Sequence, residues 1–259
     1  MTEPLRLHLD AALGRIVFDR PQALNAIDQA TARAFEAAVA QALDAGVRVL
    51  TLSGNGRAFM AGGDLAAFRR AEDRAAEAEA IIGPMNRALA RLAESDALTV
   101  ALLHGPVAGA GLSLALAADL ALAAESAVLS FAYLGVGAPA DCGITWALPR
   151  IVGLRRAAWI ALEGSAVPAV QALDWGLVNR IVPDAALQDE GTRLAARLAG
   201  LAPGASGALK HLLRDGFGRD YAATLEAEKQ AFKTCAATAD FAEALAAFFE
   251  KRPARFTGN

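Results

Sequence analysis

The chain has 259 residues and carries 25 lysines and arginines against 28 aspartates and glutamates, a formal net charge of −3. That balance leaves no basic footprint for a nucleic-acid partner, and a chain 55% hydrophobic and 20% charged is too apolar to be disordered. The length suits a core domain with a small appendage. Only 6% of residues are aromatic while 65 are alanine, so the apolar excess is one of small side chains that favour closely packed helices.

Cys142 and Cys235, the two cysteines, cannot build a disulfide framework and have no metal-ligand spacing, so neither a metal nor an oxidising compartment is expected. The opening MTEPLRLHLDAALGRIVF lacks the apolar run of a signal peptide. A cytoplasmic protein is the expectation.

Along the chain, Leu5, Leu7 and Leu9 alternate, Ala11–Gly14 reads as a turn, and Arg15–Asp19 completes a hairpin. Apolar spacing predicts a helix over Thr31–Ala45, stopped by Gly46, and a strand over Val47–Ser53. Asp64 follows two glycines and is placed to cap a helix over 65–76. A further helix is predicted over Ala80–Glu94, strands at Thr99–Leu103, Ala121–Ala124, Val128–Leu129 and Val178–Val182, and helices at Ile144–Leu148 and Arg155–Glu163. From Asp184 to Phe249 the pattern is helical, broken near Pro203-Gly204 and at Gly216–Gly218. Strands mixed with helices, then helices alone, imply an α/β core with a helical C-terminal part. No internal sequence repeat stands out.

Residues 97–118, ALTVALLHGPVAGAGLSLALAA, run for 22 positions without a formal charge, long enough to span a bilayer. His104-Gly105-Pro106 and Gly109-Ala110-Gly111 interrupt any single helix there, so the run reads instead as a buried strand, a tight turn and a buried helix starting near Ala110.

Three chemistries fit such turns. Gly109-x-Gly111 resembles part of a dinucleotide fingerprint, but its last position is Leu114 and no acidic residue ends a following strand. Gly111-Leu-Ser113-Leu-Ala115 is a loose nucleophile elbow, for which His211 is the one histidine in the required order. The third reading is a polarised carbonyl. Helix starts near Ala110 and Asp64 present free amides, and two amides from separate turns can hold one oxyanion.

Asn25 in RPQALNAI, GRAFMAGGDL, GPVAGAGLSLALAADLALAAESA, LPRIVG at 148–153, DWGLVNRIV at 174–182 and FFEKRPARFTG together resemble the enoyl-CoA hydratase/isomerase (crotonase) superfamily from residue 5 to 258. The resemblance implies a crotonase-like spiral of repeated β-β-α units over 1–197 and a C-terminal helical oligomerisation region over 198–259, building a homotrimer or dimer of trimers. It implies an acyl-CoA substrate, with coenzyme A entering as part of that substrate and no separate cofactor. The two oxyanion amides fall on Gly63 and Ala110. Leu24–Ala26 and Ala61–Leu65, including Asp64, match stretches that clasp the coenzyme A end.

Hydratases of this family carry two glutamates that activate water, and here those positions are Ser113 and Tyr133, neither a carboxylate base. A carboxylate stands instead at Asp141, in PADCGITWALPR, a pattern that looks like the Δ3,Δ2-enoyl-CoA isomerase and ring-1,2-epoxyphenylacetyl-CoA isomerase branch. The resemblance implies an isomerase converting 3-enoyl-CoA to 2-enoyl-CoA, with Asp141 shuttling one proton and Tyr133 and Trp146 lining the pocket. Alternatives are hydration, aromatic acyl-CoA dehalogenation, ring-epoxide isomerisation, and a non-catalytic acyl-CoA-binding relative. From spacing alone, Asp141 is equally a loop acid or a helix cap.

Overall fold

The structure, a computed structural model, describes residues 3–259, so Met1 and Thr2, which begin the N-terminal stretch and the 1–197 unit, lie outside it. Strands β1 (Leu5–Asp10) and β2 (Leu13–Phe18) form the expected antiparallel hairpin. Helix α1 (Gln29–Asp44) starts two residues earlier than its apolar spacing predicts, because the Asp28 carboxylate caps it by accepting the Thr31 amide at 2.8 Å. After β3 (Val49–Gly54), the single helix expected over 65–76 is divided into α2 (Leu65–Arg70) and α3 (Arg74–Glu94). Asp73 is the cause: its carboxylate accepts the Ala75 and Ala76 amides at 2.9 and 3.0 Å, which starts a new helix where periodicity saw continuity.

The uncharged run becomes β4 (Leu98–Leu103), β5 (Pro106–Ala108) and α4 (Ala110–Ala117). Among the described residues no helix is long and apolar enough to cross a membrane. Next come β6 (Leu120–Ala124), β7 (Val128–Ser130), α5 (Ile144–Val152), α6 (Leu154–Glu163), β8 (Val167–Pro168), α7 (Ala169–Asp174) and β9 (Arg180–Val182). Helices α8 (Leu187–Ala199), α9 (Pro203–Asp215), α10 (Tyr221–Ala236) and α11 (Ala239–Glu250) complete the chain. The helical run breaks between α8 and α9 as expected, and Pro203 opens α9, since the first helical position needs no amide donor.

One sheet runs β1-β2-β3-β4-β6-β9, parallel after the hairpin; a second runs β5-β7-β8, extended by a bridge from Met60 to Val107. Each pass thus lays a strand in the first sheet and a short strand in the second before a helix, as in β4-β5-α4 and β6-β7-α5. This is the β-β-α spiral. Its repeat is absent from the sequence because burial and turns define the unit, and any apolar residue of suitable size satisfies a buried position.

Helix α8 seals the outer face of the first sheet, placing Leu187, Leu194 and Ala195 on Val49, Val100, Leu102 and Leu122. Residue 197, the expected boundary, lies within α8. Helix α9 is tied back by Lys210, whose buried Nζ donates to the carbonyls of Leu92 and Ala97, both at 2.7 Å.

Candidate active site

Two glycine turns meet at the centre of the molecule. The Met60 amide donates to the Pro106 carbonyl at 3.2 Å and the Ala108 amide to the Met60 carbonyl at 2.9 Å, lacing the turn after Met60 to β5. Gly62 and Gly109 then lie against each other: a Cβ added to Gly109 would stand 3.6 Å from Gly62 Cα. Both have positive φ, 102° and 52°, and the 52°, −124° pair at Gly109 is open to glycine and costly for other residues. Gly111 is required by contact, since a Cβ there would lie 2.3 Å from the Met60 carbonyl oxygen.

The residues that follow are Gly63 on one turn and Ala110 on the other. Neither amide has a hydrogen-bond acceptor among the described residues. Ala110 opens α4, which is buried from Ala110 through Leu116, so its free amides and positive dipole end face a dry interior.

The loop at 24–27 runs beside this turn. The Ala61 amide donates to Leu24 O at 3.0 Å, the Ile27 amide to Gly62 O at 2.8 Å, and the Asp64 amide to Ile27 O at 2.9 Å. Asn25 holds the loop in place. Its Nδ2 donates to the carbonyls of Asn55, Ala58 and Phe59 at 2.9, 2.8 and 3.2 Å, and its Oδ1 accepts the Arg20 amide at 2.9 Å. Leu24 and Asn25 are both left-handed, at φ 52° and 57°. Such strain persists only where surroundings over-determine it, and the Asn25 bonds supply that constraint. Thus Leu24, Ala26, Ala61, Asp64 and Leu65 do come together, with Leu65 exposed and Ala26 buried.

Asp64 is turned inward. It caps α2 through the Ala66 and Ala67 amides at 3.0 and 3.2 Å and pairs with Arg20 Nη2 at 2.9 Å. Burial pushes its carboxyl up, but the Arg20 hydrogen bond, the Ala67 amide, the Arg20 charge and the Ala66 amide outweigh burial and leave it below the usual carboxylate range.

One helical turn after Ala110, Ser113 (1% exposed) meets Tyr133 (6% exposed), with Oγ and hydroxyl 2.7 Å apart. The Tyr133 hydroxyl donates in turn to Asp141 Oδ1. Tyr133 also packs edge-on against Phe131, ring centroids 5.1 Å apart. Burial, then the charge and hydrogen bond of Asp141, raise the Tyr133 phenol far above its ordinary value against a smaller opposing pull from Ser113, so the hydroxyl stays protonated. Burial and the Asp141 charge likewise raise the Cys142 thiol, leaving it protonated and inert beside the carboxylate. No cation pairs with Asp141 among the described residues. Asp141 caps no helix either: Gly143, in the left-handed region, precedes α5.

Trp146 lines one cavity with Cys142 and Gly143, the residues that follow Asp141. It stacks under Arg150, whose guanidinium lies 4.2 Å from its ring, and lines another cavity of about 470 Å³ with Arg214 and Phe217 near α9. Among the described residues there is no serine-hydrolase arrangement: Ser113 Oγ engages Tyr133 and lies 3.3 Å from Gly109 O, while His211 Nε2 lies 3.0 Å from Asp96. No group of three or more His, Cys, Asp or Glu suited to a metal occurs among the described residues. Sequence reasoning missed the bond between Ser113 and Tyr133 and the Arg20 brace; the paired positions twenty residues apart were the available signal for the first.

The family profile described as enoyl-CoA hydratase/isomerase matches residues 8–259. The chain belongs to the enoyl-CoA hydratase/isomerase family. Its relatives there include the 1,2-epoxyphenylacetyl-CoA isomerase of Escherichia coli (strain K12), 33% identical with 100% of each chain covered. An enoyl-CoA hydratase structure from Bacillus anthracis superposes with a TM-score of 0.93 at 27% identity, covering 99% of this chain and 100% of that one. Enoyl-CoA hydratase subunit I from Geobacillus kaustophilus HTA426 gives 0.90 at 30% identity, with both chains fully covered. Relatives named for isomerisation and for hydration thus share this family and its crotonase fold.

Proposed function

We propose that this family member is an acyl-CoA isomerase that shifts a double bond from C3–C4 to C2–C3 of a 3-enoyl-CoA. Asp141 takes the proton from C2 and returns it at C4, so one carboxylate performs both transfers. The electron pair left at C2 delocalises into a dienolate, whose charge on the thioester oxygen is held by the Gly63 and Ala110 amides. Backbone at Leu24–Ala26 and Ala61–Leu65 takes the coenzyme A end, and Asp64 braces that wall through Arg20. Coenzyme A arrives with the substrate, and no further cofactor is invoked.

The observation that carries this reading is the contact between Ser113 and Tyr133. The two positions where hydratases hold glutamates around a water are here closed by a direct hydroxyl–hydroxyl bond of 2.7 Å, which leaves Asp141 as the carboxylate of the group. Exposed apolar side chains on the C-terminal helices, among them Leu213, Phe232 and Phe248, support assembly as a trimer or dimer of trimers.

The test is a paired assay of the wild-type protein on 3-hexenoyl-CoA and crotonyl-CoA. Isomerisation of the first with little hydration of the second is expected; the reverse overturns the assignment. A second reading, ring-epoxide isomerisation, is favoured by the Escherichia coli relative. Turnover of an epoxide of an aromatic acyl-CoA, with none of 3-hexenoyl-CoA, would select it.

A further inference from the structure

We infer that Ser113 and Tyr133 act as positioning residues for Asp141, setting which carboxylate oxygen meets the substrate and tying the base to the helix that carries the Ala110 amide. The inference rests on the reading of Asp141 as the base.

The direction of the hydrogen bonds follows from counting protons. Tyr133 has one hydroxyl proton, and it goes to the carboxylate oxygen Oδ1 of Asp141. The phenolic oxygen is then an acceptor, and the hydroxyl of Ser113, 2.7 Å away, fills it. The Ser113 Oγ contact with Gly109 O is longer, at 3.3 Å, so the serine proton is directed mainly to Tyr133. Gly109 O also accepts the Ser113 amide at 3.0 Å, as the first closed bond of α4. The result is a one-way chain: α4 holds Ser113, Ser113 orients the Tyr133 hydroxyl, and Tyr133 occupies one Asp141 oxygen. Proton transfer falls to the other oxygen, Oδ2.

The surroundings make this arrangement specific. Ser113 and Tyr133 are buried, and a buried hydroxyl without a partner is costly, so the two side chains constrain each other. The Phe131 ring fixes the plane of Tyr133 independently of its hydroxyl, so removing that hydroxyl leaves the packing in place. The segment from Tyr133 to Asp141 has one 3-10 turn at Leu134–Val136, a left-handed Gly137 and no regular element from there to Asp141, with a left-handed Cys142 just beyond it. A carboxylate on such a loop needs an anchor, and Tyr133 is the side chain that supplies one. Neither hydroxyl gains or loses a proton in the cycle; the pair holds geometry and stabilises the carboxylate charge.

The experiment measures two reactions in the same variants: isomerisation of 3-hexenoyl-CoA, and exchange of the α-protons of hexanoyl-CoA with D₂O followed by NMR. The exchange needs only a base and an oxyanion site, so it still reports on Asp141 if the double-bond shift is not the natural reaction. Tyr133→Phe is expected to lower kcat and the exchange rate about 10–100-fold, the loss appropriate to one hydrogen bond to a charged group, with KM unchanged. Ser113→Ala is expected to give a smaller loss in the same two rates. The double variant should match Tyr133→Phe alone, because Ser113 acts through the tyrosine hydroxyl. A folded Tyr133→Phe with wild-type exchange overturns the inference, as do losses that multiply in the double variant. If Tyr133→Phe does not fold, Ser113→Ala decides: exchange lowered with KM unchanged supports the inference, and wild-type exchange overturns it. Absent isomerisation with intact exchange in the wild type overturns the proposed reaction but leaves the positioning role standing.

Discussion

Asp141 and Asp119 are both half-buried aspartates near α4, yet their surroundings are opposite. Asp119 is saturated. Its Oδ2 accepts the Thr99 amide and hydroxyl, both at 2.8 Å, and lies 3.5 Å from Lys210 Nζ, while Oδ1 meets Arg214 at 3.3 Å. Asp141 has the protonated Tyr133 hydroxyl and no cation among the described residues. Two cations and two donors tie a carboxylate to its neighbours and make it a fastener; here it fastens α9 to the start of β4. At Asp141 the Tyr133 bond engages Oδ1 alone. Asp64, paired with Arg20 and capping α2, belongs with Asp119. The difference teaches that charge pairing, more than depth of burial, separates the acids that hold this molecule together from the acid proposed as the base.

The strongest challenge to that contrast is Asp141→Asn. It is expected to lower turnover of 3-hexenoyl-CoA by about 10²–10⁴-fold, the range for loss of a general base, with an unchanged melting temperature. A matching fall in stability would place Asp141 among the fasteners. Asp119→Ala should do the reverse. Leaving Lys210 and Arg214 without their carboxylate is expected to cost about 1–3 kcal/mol in urea unfolding, with kcat of the folded fraction unchanged; a loss confined to kcat would break the comparison.

The smallest effect concerns acid. Asp64 has its folded-state carboxyl below the unfolded value of 3.8, so its contribution to stability is full above that value and is lost as pH falls through the lower folded one. Arg20→Gln removes part of that depression. The variant is therefore expected to show a shallower loss of melting temperature between neutral pH and pH about 3, measured by thermal denaturation. An unchanged slope would show that the α2 amides alone hold Asp64 ionised.

Much of this was legible in the linear pattern. The Asp64 cap, the strand at 99–103 and the start of α4 at Ala110 all follow from local chemistry, and the structure has them where they were expected, with β5 added in what reads as the turn between them. Other features escaped for identifiable reasons. Strands β5 and β8 have three and two residues and include Pro106 and Pro168, too little for any alternation to register. The break before α3 depended on the Asp73 carboxylate, one polar residue in a helical pattern. Trp146 shares its helix with the approach to Asp141, but the 3.6-residue period carries its ring round to Arg150 and α9.

The sequence by itself determined the α/β class, the buried character of residues 97–118 and the glycine turns. These are properties of local backbone preference and residue type. Only the tertiary structure decided that Gly62 lies on Gly109, that Ser113 touches Tyr133, and that Asp141 is left without a cation while Asp119 receives two. Each of those contacts joins residues separated by twenty to ninety-five positions, and the spiral brings them together because each β-β-α pass must bury its apolar face on the pass before it.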